Sequence, residues 1–223
     1  MKEKAQFFLV PTPIGNLEDI TLPALRILKE VDFIYAEDTR NTLNLLKFHD
    51  INNVLKSDHS YTEHKNQKLI INSLKDGSKL ALVTDAGTPG ISDPGYLIVK
   101  ACLMNEIEIE CLPGPTAFVP ALVKSGLPSD RFTFEGFLPH KKGRKKRLES
   151  LIDETRTMIF YESPYRILKT IDDFISYFGP AREASVSREI SKKFEETVNG
   201  KLESIKYHFE KGKIKGEFVL IVQ

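Results

Sequence analysis

Three turns rich in glycine and proline, each closing an apolar run of strand type, constrain this chain more than any other feature. Residues 7–10 run into Pro11-Thr12-Pro13-Ile14-Gly15-Asn16, residues 80–83 into Thr84-Asp85-Ala86-Gly87-Thr88-Pro89, and residues 107–112 into Pro113-Gly114-Pro115-Thr116-Ala117. In an open α/β sheet the carboxyl ends of the strands form the ligand crevice, so three such turns in one sheet are expected to line one pocket. At 223 residues the chain is long enough for two compact domains. Its 32 Lys and Arg nearly balance 31 Asp and Glu, so any site for a polyanion must be a local patch.

Strand-like and helix-like segments alternate through the first half. Thr21 reads as the N-cap of a helix to Val31 with Pro23 in its first turn. A strand at 33–36 ends in Glu37-Asp38-Thr39-Arg40, where Thr39 is the expected cap of the next helix. An edge strand at 54–56, helices near 63–75, 95–104 and 116–125, and strands at 79–84 and 107–112 complete a mostly parallel α/β half. Around Gly126-Leu127-Pro128-Ser129-Asp130 the pattern shifts to longer strands at 132–137, 157–161, 183–189, 195–200 and 216–222, the last preceded by a helix within 201–215. Part of that sheet is expected to be antiparallel. The reading is therefore two α/β domains, 1–125 and 126–223, the first with a mostly parallel sheet and the second with a mixed one.

The loop from Thr84 to Gly95 holds two Asp, three Gly and two Pro, so its backbone can approach a ligand closely. Within it Asp93-Pro94 suits a helix start, whereas Asp85 is the ligand candidate. Thr116 suits either a helix cap or a ligand contact. Glu37, Asp38 and Arg40 suit either orientation of a hydroxyl and clamping of a phosphate, or an ordinary acidic helix start. The run from His140 to Arg147 gathers Lys141, Lys142, Arg144, Lys145, Lys146 and Arg147. Its place after the domain boundary favours contact with RNA phosphates over a merely solvated helix.

Neither cysteine, Cys102 or Cys111, has metal-ligand spacing with a histidine, and both read as buried thiols in a reducing cytosol. No metal is expected, and no hydrolytic triad is apparent. The first six residues are too polar for a signal peptide, and no apolar run approaches the ~18 residues of a spanning helix. The expectation is a soluble cytoplasmic protein with no membrane partner.

Taken in order, the segments 12–21, 36–40, 85–95 and 113–117, together with 134–139 and 160–166, resemble the tetrapyrrole methylase superfamily. Within it they resemble the branch that methylates a ribose 2′-oxygen of small-subunit ribosomal RNA. The resemblance implies two α/β domains, S-adenosylmethionine in a cleft between them, a homodimer, and transfer to a cytidine of the decoding region of 16S rRNA. It implies cofactor contacts at Pro13, Asp85, Thr88, Thr116, Ala117, Phe160 and Tyr161, with Gly216 near the last strand. Thr116 stands where the family usually has serine, and Thr62 where it has histidine, which leaves His64 as the nearby imidazole. For chemistry on a ribose hydroxyl, Glu37 or Asp38 is the expected proton acceptor and Arg40 the holder of an adjacent phosphate. The rival readings are a methyltransferase of the same fold acting on carbon of a porphyrin-like ring, and a non-catalytic RNA-binding module.

Overall fold

The computed structural model describes residues 5–57 and 63–223, which form two compact units, Met1–Thr116 and Ala117–Gln223. In the first, strands β1 (Phe7–Leu9), β2 (Phe33–Ala36), β3 (Leu55–Ser57), β4 (Leu80–Val83) and β5 (Ile109–Cys111) form an all-parallel sheet ordered β3-β2-β4-β1-β5. Between them lie helices α1 (Leu22–Glu30), α2 (Thr39–Phe48), α3 (Glu63–Lys75) and α4 (Tyr96–Met104). The side-chain alternation of a strand separates two cores. Phe8, Ile34, Ala36, Ala81 and Val83 pack with Leu28, Leu45 and Leu46 of α1 and α2. Phe7, Leu9, Tyr35, Leu80 and Leu82 pack with Ile70, Leu74, Ile98 and Cys102 of α3 and α4. Both faces are covered, as a parallel sheet requires.

Local chemistry sets the helix starts. Thr21 caps α1 by accepting from the Ala24 amide at 3.3 Å, with Pro23 in the first turn. The cap of α2 is Asp38 rather than the expected Thr39, because the Asp38 carboxylate accepts the Arg40 amide at 2.8 Å. The N-cap of α4 is Gly95 at φ 139°, a conformation open to glycine, so Asp93-Pro94 precedes the helix without capping it. Cys102 is buried, and burial pushes its thiol up to about 12. Cys111 is exposed on the edge strand β5, which corrects the expectation that both cysteines are interior.

The second unit comprises α5 (Phe118–Ser125), β6 (Phe132–Phe137), α6 (Arg144–Glu149), β7 (Thr157–Glu162), α7 (Ile167–Phe178), β8 (Glu183–Arg188), β9 (Glu196–Lys201), α8 (Leu202–Glu210) and β10 (Phe218–Val222). Its sheet is mixed, ordered β6-β7-β10-β8-β9, with β6 and β7 parallel and every other pair antiparallel. Helix α5 packs on β8, β9 and β10, so it belongs with this unit, and the turn at Gly126 ends a helix within it. Gly126 takes φ +68°, the left-handed conformation that commonly closes a helix. Helix α7, not anticipated from the sequence, buries Ile167, Thr170, Ile171 and Phe174 at helical spacing.

A buried polar chain crosses this unit. Arg144 at the start of α6 donates to Asp173 Oδ2 and Thr170 Oγ1, each at 2.8 Å, and to the Pro139 carbonyl at 3.3 Å. Thr170 in turn donates to Glu162 Oε2 at 2.7 Å, and Glu162 pairs with Arg166 at 2.7 Å. With its side chain 8% exposed, Arg144 is an internal strut, which removes it from the set of cations expected to meet RNA phosphates. Arg144→Leu should lower the unfolding free energy by about 2–3 kcal/mol, by removing the donor to Thr170 and leaving the Asp173 charge without its partner. Urea denaturation followed by circular dichroism checks this, and Lys145→Leu on the exposed side of α6 should change stability by less than about 0.5 kcal/mol.

Candidate active site

In the first unit the loops that follow β1, β2, β4 and β5 all leave the same edge of the sheet, since those strands are parallel neighbours. Six residue pairs stitch them together. Thr12 and Gly87 exchange two backbone hydrogen bonds at 2.9 Å, and Thr12 Oγ1 donates to the Thr84 carbonyl at 3.0 Å. Asp85 Oδ1 accepts the Asp38 amide at 3.0 Å and Oδ2 accepts from Asn41 Nδ2 at 3.1 Å. Thr88 Oγ1 donates to the Pro115 carbonyl at 3.1 Å. Gly114 lies against Pro11, where an added Cβ would sit 2.5 Å from the Pro11 Cβ. The loops therefore form one preorganised rim, and three of the turns picked out in the sequence meet there.

Two hydroxyls in this rim have no hydrogen-bond partner among the described residues although both are buried: Thr84 Oγ1 and Thr116 Oγ1. An unsatisfied buried hydroxyl costs about 1–3 kcal/mol, so one just past β4 and one in the turn after β5 are features that the packing of the rim leaves unexplained. Thr116 does not cap α5, whose N-cap is Ala117 with no side-chain cap. That removes the capping reading of Thr116. The first amides of α5 thus have no side chain bonded to them. Thr84 and Asn41 were not singled out from sequence; Thr84 directly ends a strand, the one signal that marked it. Pro13 is buried in the β1 loop, while Asp85 and Thr88 act as cross-loop ties.

Beside this rim, Arg40 grips Asp38 through a fork, Nε to Oδ1 at 3.0 Å and Nη2 to Oδ2 at 2.6 Å. The guanidinium holds the Asp38 carboxyl down from 3.8 to about 2. The sign is that of a depressed carboxylate: the fork favours the folded state above about pH 4, and this is lost as pH falls toward 2. So acidic and so occupied a carboxylate is a poor proton acceptor; Glu37, the other acid of this turn, is half-buried just past the end of β2. The Arg40 side chain is 87% exposed, so its outer face is open to solvent.

In the second unit, Phe160 is fully buried and packs on Phe174 with ring centroids 4.7 Å apart. It is a core residue, because it shares the inward face of β7 with Met158, and its side chain cannot contact a cofactor as expected. Tyr161 points to the other face, against Phe134 and Phe137 at 5.1 and 5.7 Å. Gly216 has φ +86°, and the Glu189 side chain fills the space a Cβ would take, so its glycine has a structural reason. Of the six cations, Arg144 is interior, and Arg147 pairs with the buried Glu135 carboxylate. Lys145 lies 3.7 Å from Glu149 and stays exposed. Lys141, Lys142 and Lys146 are exposed and have no ion pair among the described residues. His59 and Thr62, and the side chain of His64, lie outside the described residues.

A family model described as Tetrapyrrole (Corrin/Porphyrin) Methylases matches residues 6–206. The chain is 45% identical over 217 residues to the ribosomal RNA small subunit methyltransferase I of Thermotoga maritima, covering 97% of each protein. It is also 45% identical over 226 residues to the protein of that name from Escherichia coli O157:H7, covering 99% of this chain and 78% of the relative. Among solved structures, uroporphyrin-III C-methyltransferase from Thermus thermophilus complexed with S-adenyl homocysteine aligns at TM-score 0.65 and 19% identity, covering 97% of both chains. That last likeness is one of fold.

The rim's close packing at Gly114 gives a direct test. Gly114→Ala should destabilise the protein by about 1–3 kcal/mol, because the rigid Pro11 ring cannot yield as a flexible side chain would. Thermal denaturation checks it, and Gly212→Ala, where nothing lies within 4 Å, serves as the tolerant control.

Proposed function

The chain belongs to the tetrapyrrole (corrin/porphyrin) methylase family, and from that premise we propose that it is an S-adenosylmethionine-dependent methyltransferase of small-subunit ribosomal RNA, acting on the 2′-hydroxyl of a cytidine ribose in the decoding region. The observation that carries the reading is 45% identity along 97% of the chain to a protein named for that substrate. It acts in the cytoplasm and as a homodimer. The apolar outer face of α4, with Leu103 and Met104 66% and 77% exposed, supports self-association.

When bound, S-adenosylmethionine supplies a methyl group on a sulfonium, ready for in-line displacement. Thr84 and Thr116 supply hydroxyls to it, Pro13 lines it, and Asp85 and Thr88 hold the surrounding loops in place. The two partnerless buried hydroxyls support this arrangement. Glu37 accepts the proton of the ribose hydroxyl, while Asp38 anchors Arg40 so that its exposed face meets a neighbouring phosphate. Lys141, Lys142, Lys145 and Lys146 hold phosphates further along the RNA. A porphyrin-like ring has less use for such a row of exposed cations, and a purely RNA-binding module has no use for a buried polar cradle.

Tritiated S-adenosylmethionine offered with unmethylated small subunits, with free 16S rRNA and with uroporphyrinogen separates the readings. Label should enter RNA in an alkali-resistant dinucleotide, and label in the macrocycle alone would replace the proposed substrate. In the same assay Glu37→Gln should lower kcat by about 10²–10⁴. Asp38→Asn, which keeps a good capping side chain, should cost less than about tenfold. Neutralising Lys141, Lys142, Lys145 and Lys146 together should flatten the dependence of log affinity on log salt by roughly 0.7–0.9 for each phosphate that no longer meets a lysine. Calorimetry should find cofactor affinity unchanged in that variant.

A further inference from the structure

The second unit presents an aromatic side chain for which its own packing gives no reason. Tyr165 is 96% exposed, and Phe137, at the end of the neighbouring parallel strand, is 51% exposed. A large bare ring on a loose loop means little, but this turn is pinned. The Arg166 amide closes it on the Ser163 carbonyl at 3.1 Å, and the Ser163 amide donates to Glu162 Oε1 at 2.8 Å. Arg166 also donates to the Leu138 carbonyl at 3.2 Å, and Arg144 to the Pro139 carbonyl at 3.3 Å. Two successive carbonyls of the β6–α6 loop are thus held by guanidinium groups that are themselves joined through Glu162 and Thr170. The buried network fixes the turn bearing Tyr165 against the loop that carries Phe137 on one side and the exposed Lys141 and Lys142 on the other.

A solvent-facing ring on a fixed turn, with cations in the loop tied to that turn, suits unpaired nucleic acid, bases stacking on the ring while ammonium groups follow the backbone. We propose that Tyr165 is a stacking platform for an unpaired base of the RNA substrate, with Lys141 and Lys142 taking the phosphates next to it. This rests on the reading of the protein as an RNA methyltransferase, and it gives a substrate contact to a residue of the 160–166 motif that carried no assigned role. The flanking positive charge favours RNA over a second copy of the chain as the occupant.

The chain contains no tryptophan, so Tyr165→Trp installs a single indole reporter. Its emission should be quenched on titration with unmethylated small subunits. Tyr165→Ala should raise KM for the subunit by about 5- to 150-fold with cofactor affinity unchanged. Tyr165→Phe, which keeps the ring, should restore most of that loss. If the wild-type enzyme methylates the subunit and Tyr165→Ala has the same KM, the stacking role is wrong while the enzyme reading stands. If the indole responds to protein concentration and not to RNA, the ring belongs to a protein interface and the proposal is overturned. A wild-type protein that neither binds nor methylates RNA would overturn both.

Discussion

The two hydrogen bonds exchanged between Thr12 and Gly87 are the interaction on which the site of the first unit depends. They extend the pairing of central strands into their loops and hold the β1 and β4 turns together at the sheet's carboxyl edge. From there the ties radiate: Asp85 to the start of α2, Thr88 to the β5 turn, and Gly114 beneath Pro11. The φ of +84° at Gly87 favours glycine there, while the Ile14 side chain and Pro115 carbonyl would stand at ordinary contact distance from a Cβ. A rim assembled this way needs little rearrangement on binding, so more of the interaction energy is left for holding the ligand.

The same economy of parts separates structural charge from functional charge. Arg144 and Arg166 are used inside the second unit, where each satisfies a carboxylate and a backbone carbonyl, whereas the lysines at 141, 142, 145 and 146 are exposed to solvent. On the first unit Asp38 is given over to capping α2 and orienting Arg40, and its depressed acidity follows from that use. Glu37 stands one residue earlier, at the strand end and outside the capping position. The division suits an enzyme whose chemical step asks for alignment and one proton acceptor.

Much of this was legible in the sequence because strand and helix periods differ. The alternating apolar runs located the strands of both sheets, and Thr21 with Pro23 located α1. The three turn motifs do meet at one edge of the first sheet. What the sequence concealed was direction. Phe160 and Tyr161 are adjacent in one motif, yet the pleat sends the first into the core and the second to the opposite face. Arg144 stood among six cations, and only its helical spacing to the buried Leu148 hinted that it turns inward. The Gly126 turn was read as a domain boundary because a left-handed glycine that ends a helix has the same composition as one that begins a linker.

The central claim, that the stitched rim is a cradle built around two hydroxyls awaiting a ligand, is tested most directly by measuring S-adenosylmethionine affinity by calorimetry alongside ligand-free melting temperature for Thr84→Val and Thr116→Val. Each valine removes a buried hydroxyl that has no partner among the described residues, so the ligand-free protein should melt at the same or a higher temperature while affinity falls by about 5- to 100-fold. Unchanged affinity in both variants would contradict the account, and so would a drop in affinity that merely follows a lowered melting temperature.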